Sequence, residues 1–220
     1  MTLPIYVYGS DVLREKAVEV DLAKEGIREE MKKLVEDMWE TMDKADGIGL
    51  AAPQVGKSVR VLVVDGTLLA DDYEYLKDFK RVMINPVVEE ESDDTSEYNE
   101  GCLSVPDIHA DIIRPKKITV SYFDENLEQK REVLDNFACR MVQHEIDHLD
   151  GILFVDRATP IRKKMISGKL NNIKTGKLAK IERRKTVATF CIAWPDQPTT
   201  TATKRAKPTP TASGLFQILI

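Results

Sequence analysis

Residues 135–151 read Asp135-Asn136-Phe137-Ala138-Cys139-Arg140-Met141-Val142-Gln143-His144-Glu145-Ile146-Asp147-His148-Leu149-Asp150-Gly151. The stretch predicts a helix from Asn136 to Leu149. Asp135 or Asn136 can cap its start, and Gly151 stands just past its end. Phe137 and Met141 share one face with His144 and His148, while Ala138, Val142 and Leu149, with Ile146 beside them, occupy another. A helix apolar nearly all round belongs in the middle of a domain. Within it, His144-Glu145-Ile146-Asp147-His148 has the H-E-x-x-H spacing, which sets two imidazoles one turn apart on one face. Two ring nitrogens can then reach one metal ion. Glu145 stands where it can take a proton from a water on that ion and later deliver it to a leaving group. The chain has 3 histidines in all, and two of them sit here, so a pair of chance surface histidines is the weaker explanation.

Two imidazoles leave a cation short of a ligand. Zinc peptidases with this spacing take a Glu or His further along the chain. No His follows His148, and the only later Glu is Glu182, in a basic segment. A zincin-type metallopeptidase or other amidohydrolase is therefore the alternative reading, and a closed structural metal site in a binding module is a third. The best remaining donor is Cys102, in Glu100-Gly101-Cys102-Leu103-Ser104-Val105-Pro106, where a neighbouring glycine lets the chain approach a buried helix. Cys139 lies off the ligand face and, like Cys191, reads as a small buried hydrophobe.

Upstream, Gly47-Ile48-Gly49-Leu50-Ala51-Ala52-Pro53-Gln54-Val55-Gly56 formally contains G-x-G-x-x-A. A dinucleotide loop needs a strand before it and a helix after it. Here a helical pattern precedes (Ile27, Met31, Leu34, Met38, Met42, Ala45), and Pro53 and the β-branched run Arg60–Asp65 follow. The phosphate-loop reading is rejected. The glycines instead allow close backbone approach, and Gln54 offers an amide donor. Arg81–Pro86 predicts a short strand stopped by its proline, and Glu89–Glu97 a solvated loop or strand edge. Lys117–Phe123 and Leu127–Leu134 predict a hairpin.

The length of 220 residues predicts one domain with an appendage, and an apolar fraction of 42% is enough to give it a core without disulfides. No apolar run is long enough to span a bilayer. Three cysteines are too few for a disulfide framework, so a reducing, cytoplasmic setting is expected. The net charge of -5 hides an asymmetry, because residues 160–186 are strongly basic and the body before them is acidic. That segment predicts a helix with Ile161, Met165, Ile166 and Leu170 as its apolar contacts, and a basic run can meet a polyanion. Residues 187–220, rich in Thr and Pro, predict a disordered or extraneous tail.

The three motifs Gly47–Gln54, Glu100–Ser104 and Gln143–His148, in this order, resemble the signature motifs of the peptide deformylases, over about residues 1–185. That family removes the formyl group from the N-terminal formyl-methionine of nascent chains. The resemblance implies an α+β fold, with antiparallel β-sheets packed around a central metal-binding helix and with N-terminal and C-terminal helices, in a catalytic domain over 1–186. It matches Cys102, His144 and His148 to the metal ligands, with a water as the fourth. Glu145 matches the general acid/base, and Gln54 and the backbone N–H of Leu103 match the oxyanion donors. Glu100 lies beside the site, and Gly49 and Gly101 match backbone positions that line it. One ion per chain is implied, Fe(II) as a rule, with Zn, Ni or Co as substitutes. An apolar wall of Phe137 and Met141, closed by Ile48, would suit a methionine side chain. The partners implied are formyl-methionyl nascent peptides and, through 160–186, the ribosome, with no membrane and no DNA.

Overall fold

A computed structural model describes residues 1–177 and the strand Ile192–Ala193. The expected continuation of the basic helix over 178–186 and the rest of the tail lie outside the described residues. The fold is α+β. Strand β1 (Ile5–Tyr6) and helix α1 (Ile27–Lys44) precede seven successive strands, β2 (Gly49–Ala51), β3 (Val61–Asp65), β4 (Lys80–Glu91), β5 (Thr95–Cys102), β6 (Val105–Pro115), β7 (Lys117–Phe123) and β8 (Gln129–Asp135). Helices α2 (Asn136–Leu149), α3 (Phe154–Arg157) and α4 (Pro160–Lys174) follow, with strand β9 (Ile192–Ala193) after them. An antiparallel sheet has the order β2-β3-β4-β7-β8, β5 and β6 form a long hairpin, and β1 pairs in parallel with β9.

The run Val61-Leu62-Val63-Val64 is wholly buried because both faces of the sheet are covered. Val61 and Val63 point with Leu50, Val82 and Ile84 toward Met31, Val35, Met38 and Met42 of α1. Leu62 and Val64 point the other way, with Met83 and Val120, onto Phe137, Met141 and Val142 of α2. The period of two in a strand thus divides the core into two clusters. A third cluster packs Cys102, Ile108, Ala110 and Ile112 of the β5–β6 hairpin against Phe154, Val155, Ile166 and Ile173. Helix α2 lies between these layers, and every residue from Phe137 to Leu149 is buried.

Several local expectations need correction. Strand β4 does not stop at Pro86 but runs on to Glu91. The missing N–H of Pro86 falls where the register to β7 shifts between Ile84 and Val87, a bulge that tolerates it. Glu89–Glu97 is mostly strand, with Ser92–Asp94 as the turn, because the acids occupy outward positions of β4 and β5. Strand β6 was not foreseen, although Ile108, Ala110, Ile112 and Arg114 alternate inward along it. Helix α4 ends at Lys174, and Gly176 follows with φ +66°. Its contacts are Ile166 and Ile173, with Leu170 beside them, whereas Ile161 and Met165 are 76% and 69% exposed. The stripe 166/170/173 turns those two residues to the outside. Asp135 occupies the cap position of α2 without a side-chain cap bond. Among the described residues no helix is long and apolar enough to cross a membrane.

Gly151 ends α2 as expected, at φ +72°, and a Cβ there would lie 2.6 Å from the Arg14 carbonyl oxygen. Gly151→Ala must therefore strain the backbone and displace that segment. A loss of about 1–3 kcal/mol is expected in urea unfolding. An unchanged midpoint would contradict this reading of the turn.

Candidate metal centre

Cys102 ends β5, and the two histidines lie on the inward face of α2. Among the described residues, only Cys102, His144 and His148 bring three such donor atoms within 4.8 Å of one another, and all three residues are buried. Cys102 Sγ is 3.2 Å from His148 Nε2. The rings of His144 and His148 stand 5.2 Å apart, close to edge-on, and His144 stacks on Phe154. A tetrahedral cation with bonds of about 2.3 Å to sulfur and about 2.1 Å to nitrogen needs those atoms about 3.6 Å apart, so a small adjustment suffices.

The hydrogen bonds around the rings leave the needed atoms free. His144 Nδ1 meets Glu100 Oε2 at 2.9 Å, while His144 Nε2 is buried with no partner among the described residues. A histidine tied at Nδ1 and free at Nε2 is a ligand whose second nitrogen is already oriented. Glu100 is fully buried and carries a dense set of contacts. Its Oε1 accepts from Arg114 Nε at 2.7 Å and Arg140 Nη1 at 2.9 Å, and its Oε2 accepts from Arg114 Nη2 at 3.0 Å. Burial alone would raise this carboxyl, but the Arg114 hydrogen bonds, with His144, hold it well below the usual carboxylate range.

Glu145 is the opposite case. It is fully buried, and neither carboxylate oxygen has a partner among the described residues. Burial pushes its carboxyl well up; Arg114 opposes the rise, and the nearby charges of Glu100 and Asp147 add to it. Burial likewise pushes the Cys102 thiol up, with Glu145 adding to the rise, while the backbone N–H groups of Ser104 and Val105 work the other way. Burial also keeps His148 neutral, helped by His144 and Arg114. The donor set is therefore one thiol, the neutral imidazole of His148 and the imidazole of His144 with its Nε2 free, beside an unsatisfied carboxyl. It fits a divalent cation, whose charge favours the thiolate and the carboxylate together.

Of the other residues expected at the site, Gln54 and Gly49 touch this group. Gln54 is held by its own backbone: its Oε1 accepts from Ala51 N at 2.7 Å. Its Nε2 donates to Ser104 Oγ at 3.2 Å and faces Cys102 Sγ at 3.6 Å. Leu103 follows Cys102 directly, so its N–H belongs to the same turn between β5 and β6. Gly49 lies against Glu145: a Cβ would come 2.4 Å from Glu145 Oε1. Gly101 is buried in β5 next to Cys102. Ile48, Phe137 and Met141 share one apolar cluster. Phe137 is stacked on Tyr73 and tilted on Tyr98, aromatic neighbours that the sequence reading did not anticipate. Arg114, Arg140, Asp147 and Ser104 were also missed. The one available signal was an arginine on the inward alternation of an apolar strand.

Three candidate donor side chains and a buried, unpartnered carboxyl at one point are an arrangement suited to metal-dependent hydrolysis. The polypeptide deformylase family matches this chain over residues 2–164, and the chain belongs to that family. It is 42% identical over 185 residues to the peptide deformylase of Christiangramia forsetii, covering 81% of this chain and 92% of the relative. It is 43% identical over 174 residues to that of Fusobacterium nucleatum, covering 79% and 94%. Among solved structures, a peptide deformylase from Legionella pneumophila superposes with a TM-score of 0.70 at 32% identity, covering 84% of this chain and 100% of that one. One from Synechococcus elongatus, in complex with actinonin, does so with a TM-score of 0.66 at 38% identity, covering 77% and 86%.

Because Gly49 leaves no room for a methyl group, Gly49→Ala must push the Glu145 carboxylate aside. The expected result is a loss of about 100-fold in turnover with metal content unchanged. Full activity in Gly49→Ala would show that the contact does not position Glu145.

Proposed function

We propose that this chain hydrolyses the N-terminal formamide of formyl-methionyl polypeptides, with Cys102, His144 and His148 holding one divalent cation. The observation that carries the proposal is the buried, unpartnered carboxyl of Glu145 beside those three donors. Bound there, the cation would act as a Lewis acid that makes a water acidic enough to ionise near neutral pH. Glu145 accepts the proton as the water oxygen adds to the formyl carbon. The Gln54 amide and the Leu103 N–H donate to the oxygen that gains charge, Gln54 giving up its long contact to Cys102 to do so. Glu145 then returns the proton to the nitrogen as the carbon–nitrogen bond breaks, leaving formate and a free amine.

We propose that the methionine side chain packs on the buried apolar cluster that holds Ile48, Phe137 and Met141, with the backbone of Gly49 and Gly101 framing the substrate's approach. Glu100, expected to frame it too, instead has both carboxylate oxygens engaged behind His144. Thiolate and imidazole donors accept Fe(II), Zn(II), Ni(II) and Co(II). Affinity order alone favours zinc over iron, so the proposal of Fe(II) rests on likeness to the family. The substrate emerges from ribosomes, and the proposed compartment is the cytoplasm. We also propose that α4 docks on ribosomal RNA. Lys163, Lys164 and Lys169 are exposed along it beside Ile161 and Met165.

Glu145→Gln keeps the shape and removes the proton carrier. Metal content should stay at one ion per chain while turnover of a formyl-Met peptide falls by about 100-fold or more. Undiminished turnover would refute the assigned role. For docking, the triple change Lys163→Glu, Lys164→Glu, Lys169→Glu spares the buried Ile166 and Ile173. It should weaken ribosome binding and flatten its salt dependence, with peptide turnover unchanged. Equal binding by the variant and the parent would remove the docking proposal.

A further inference from the structure

The ion pairs behind α2 form a continuous chain. Arg157 grips Asp147 with Nε to Oδ2 at 2.6 Å and Nη2 to Oδ1 at 2.5 Å. Asp147 Oδ2 also accepts from Arg114 Nη1 at 2.7 Å. Arg114 then takes both oxygens of Glu100 in a fork, and Glu100 Oε2 meets His144 Nδ1. Arg114, Glu100 and Asp147 are buried, whereas the Arg157 side chain is 43% exposed. Its outer end opens into a cleft of roughly 490 Å³ whose walls include Arg60, Gln143, Asp150 and Arg157. At 3.6 residues per turn, Gln143 and Asp150 lie about 100–160° around the helix axis from His144 and His148, and Asp147 about 60–100°. The chain therefore runs from a solvent-facing cleft to Nδ1 of His144, the ring nitrogen opposite the free Nε2.

We infer that Arg114 and Arg157 are positioning residues for the metal centre, acting on His144 through Glu100. The inference rests on the metal-binding reading above. The fork of Arg114 fixes the plane of Glu100, which Arg140 touches only through one nitrogen on Oε1. With the plane fixed, Oε2 faces His144 Nδ1, keeps the proton on that nitrogen and leaves Nε2 free as a donor. Arg157 shares the charge of Asp147. When Arg157 is removed, Asp147 draws on Arg114 alone, and the grip on Glu100 loosens. An ammonium cannot reproduce the three-way contact of Arg114, because it lacks the planar fork.

The test uses Co2+ alone, added to the metal-free full-length protein under anaerobic conditions. Its affinity is measured against a competing chelator, and its visible absorption reports the ligand geometry. Arg114→Lys should bind Co2+ about 10–100-fold more weakly, with an altered spectrum. Arg157→Gln, a change at the surface, should bind it about threefold more weakly with the urea midpoint unchanged, a smaller effect in the same direction. A folded variant of either kind that stays within about twofold of the parent and keeps its spectrum overturns the inference. If Arg114→Lys does not fold, Arg157→Gln alone decides. Failure of the parent protein to take up one Co2+ per chain would instead refute the metal-binding reading itself.

Discussion

A carboxyl group buried beyond the reach of water, with no hydrogen-bond partner of its own, is the constraint on which the rest of this structure depends. Glu145 sits in that position, and the charges of Glu100 and Asp147 lie near enough to make its ionisation harder. Such a group is costly in an apolar core unless positive charge stands beside it. The Cys102 thiol faces the same difficulty, since burial and the neighbouring Glu145 both oppose its ionisation. Two groups that resist becoming anions one by one are both favoured as anions by a single divalent cation. The three donor atoms and the carboxyl are thus one electrostatic unit.

The fold serves to hold that unit dry and in register. The thiol arrives from the end of the β5–β6 hairpin, the imidazoles from the middle helix, and the amide of Gln54 from the turn after β2. These elements belong to separate apolar clusters, so each can be packed rigidly without the others. What joins them is polar. Glu100 ties the hairpin to α2 through His144 and Arg140, Arg114 of the same hairpin reaches α2 through Asp147, and Ser104 ties the hairpin to Gln54. Fully satisfied networks of this kind are stiff because each lost contact would leave a charge buried and unpaired.

The centre itself was legible in the sequence because its parts obey short-range rules. Helical spacing set His144 and His148 on one face, glycine marked Gly49 and Gly151 as points of close approach, and the absence of a later Glu or His in the body of the chain directed attention to Cys102. The network behind it was not legible. Arg114 and Glu100 meet across a hairpin whose second strand was not foreseen, and nothing local links Asp147 to Arg157 rather than to solvent. Proline misled the reading at Pro86, where a bulge absorbs the lost N–H. On α4, Ile161 and Met165 were expected inside because apolar residues usually pack. Only the tertiary arrangement selects the stripe 166/170/173 over theirs.

X-ray absorption at the edge of the bound metal, on protein purified anaerobically, probes this unit most directly. The account predicts one cation per chain whose nearest shell holds one sulfur and two imidazole nitrogens, the remaining ligand being a light atom. A shell without sulfur, or one with a single imidazole, would contradict it.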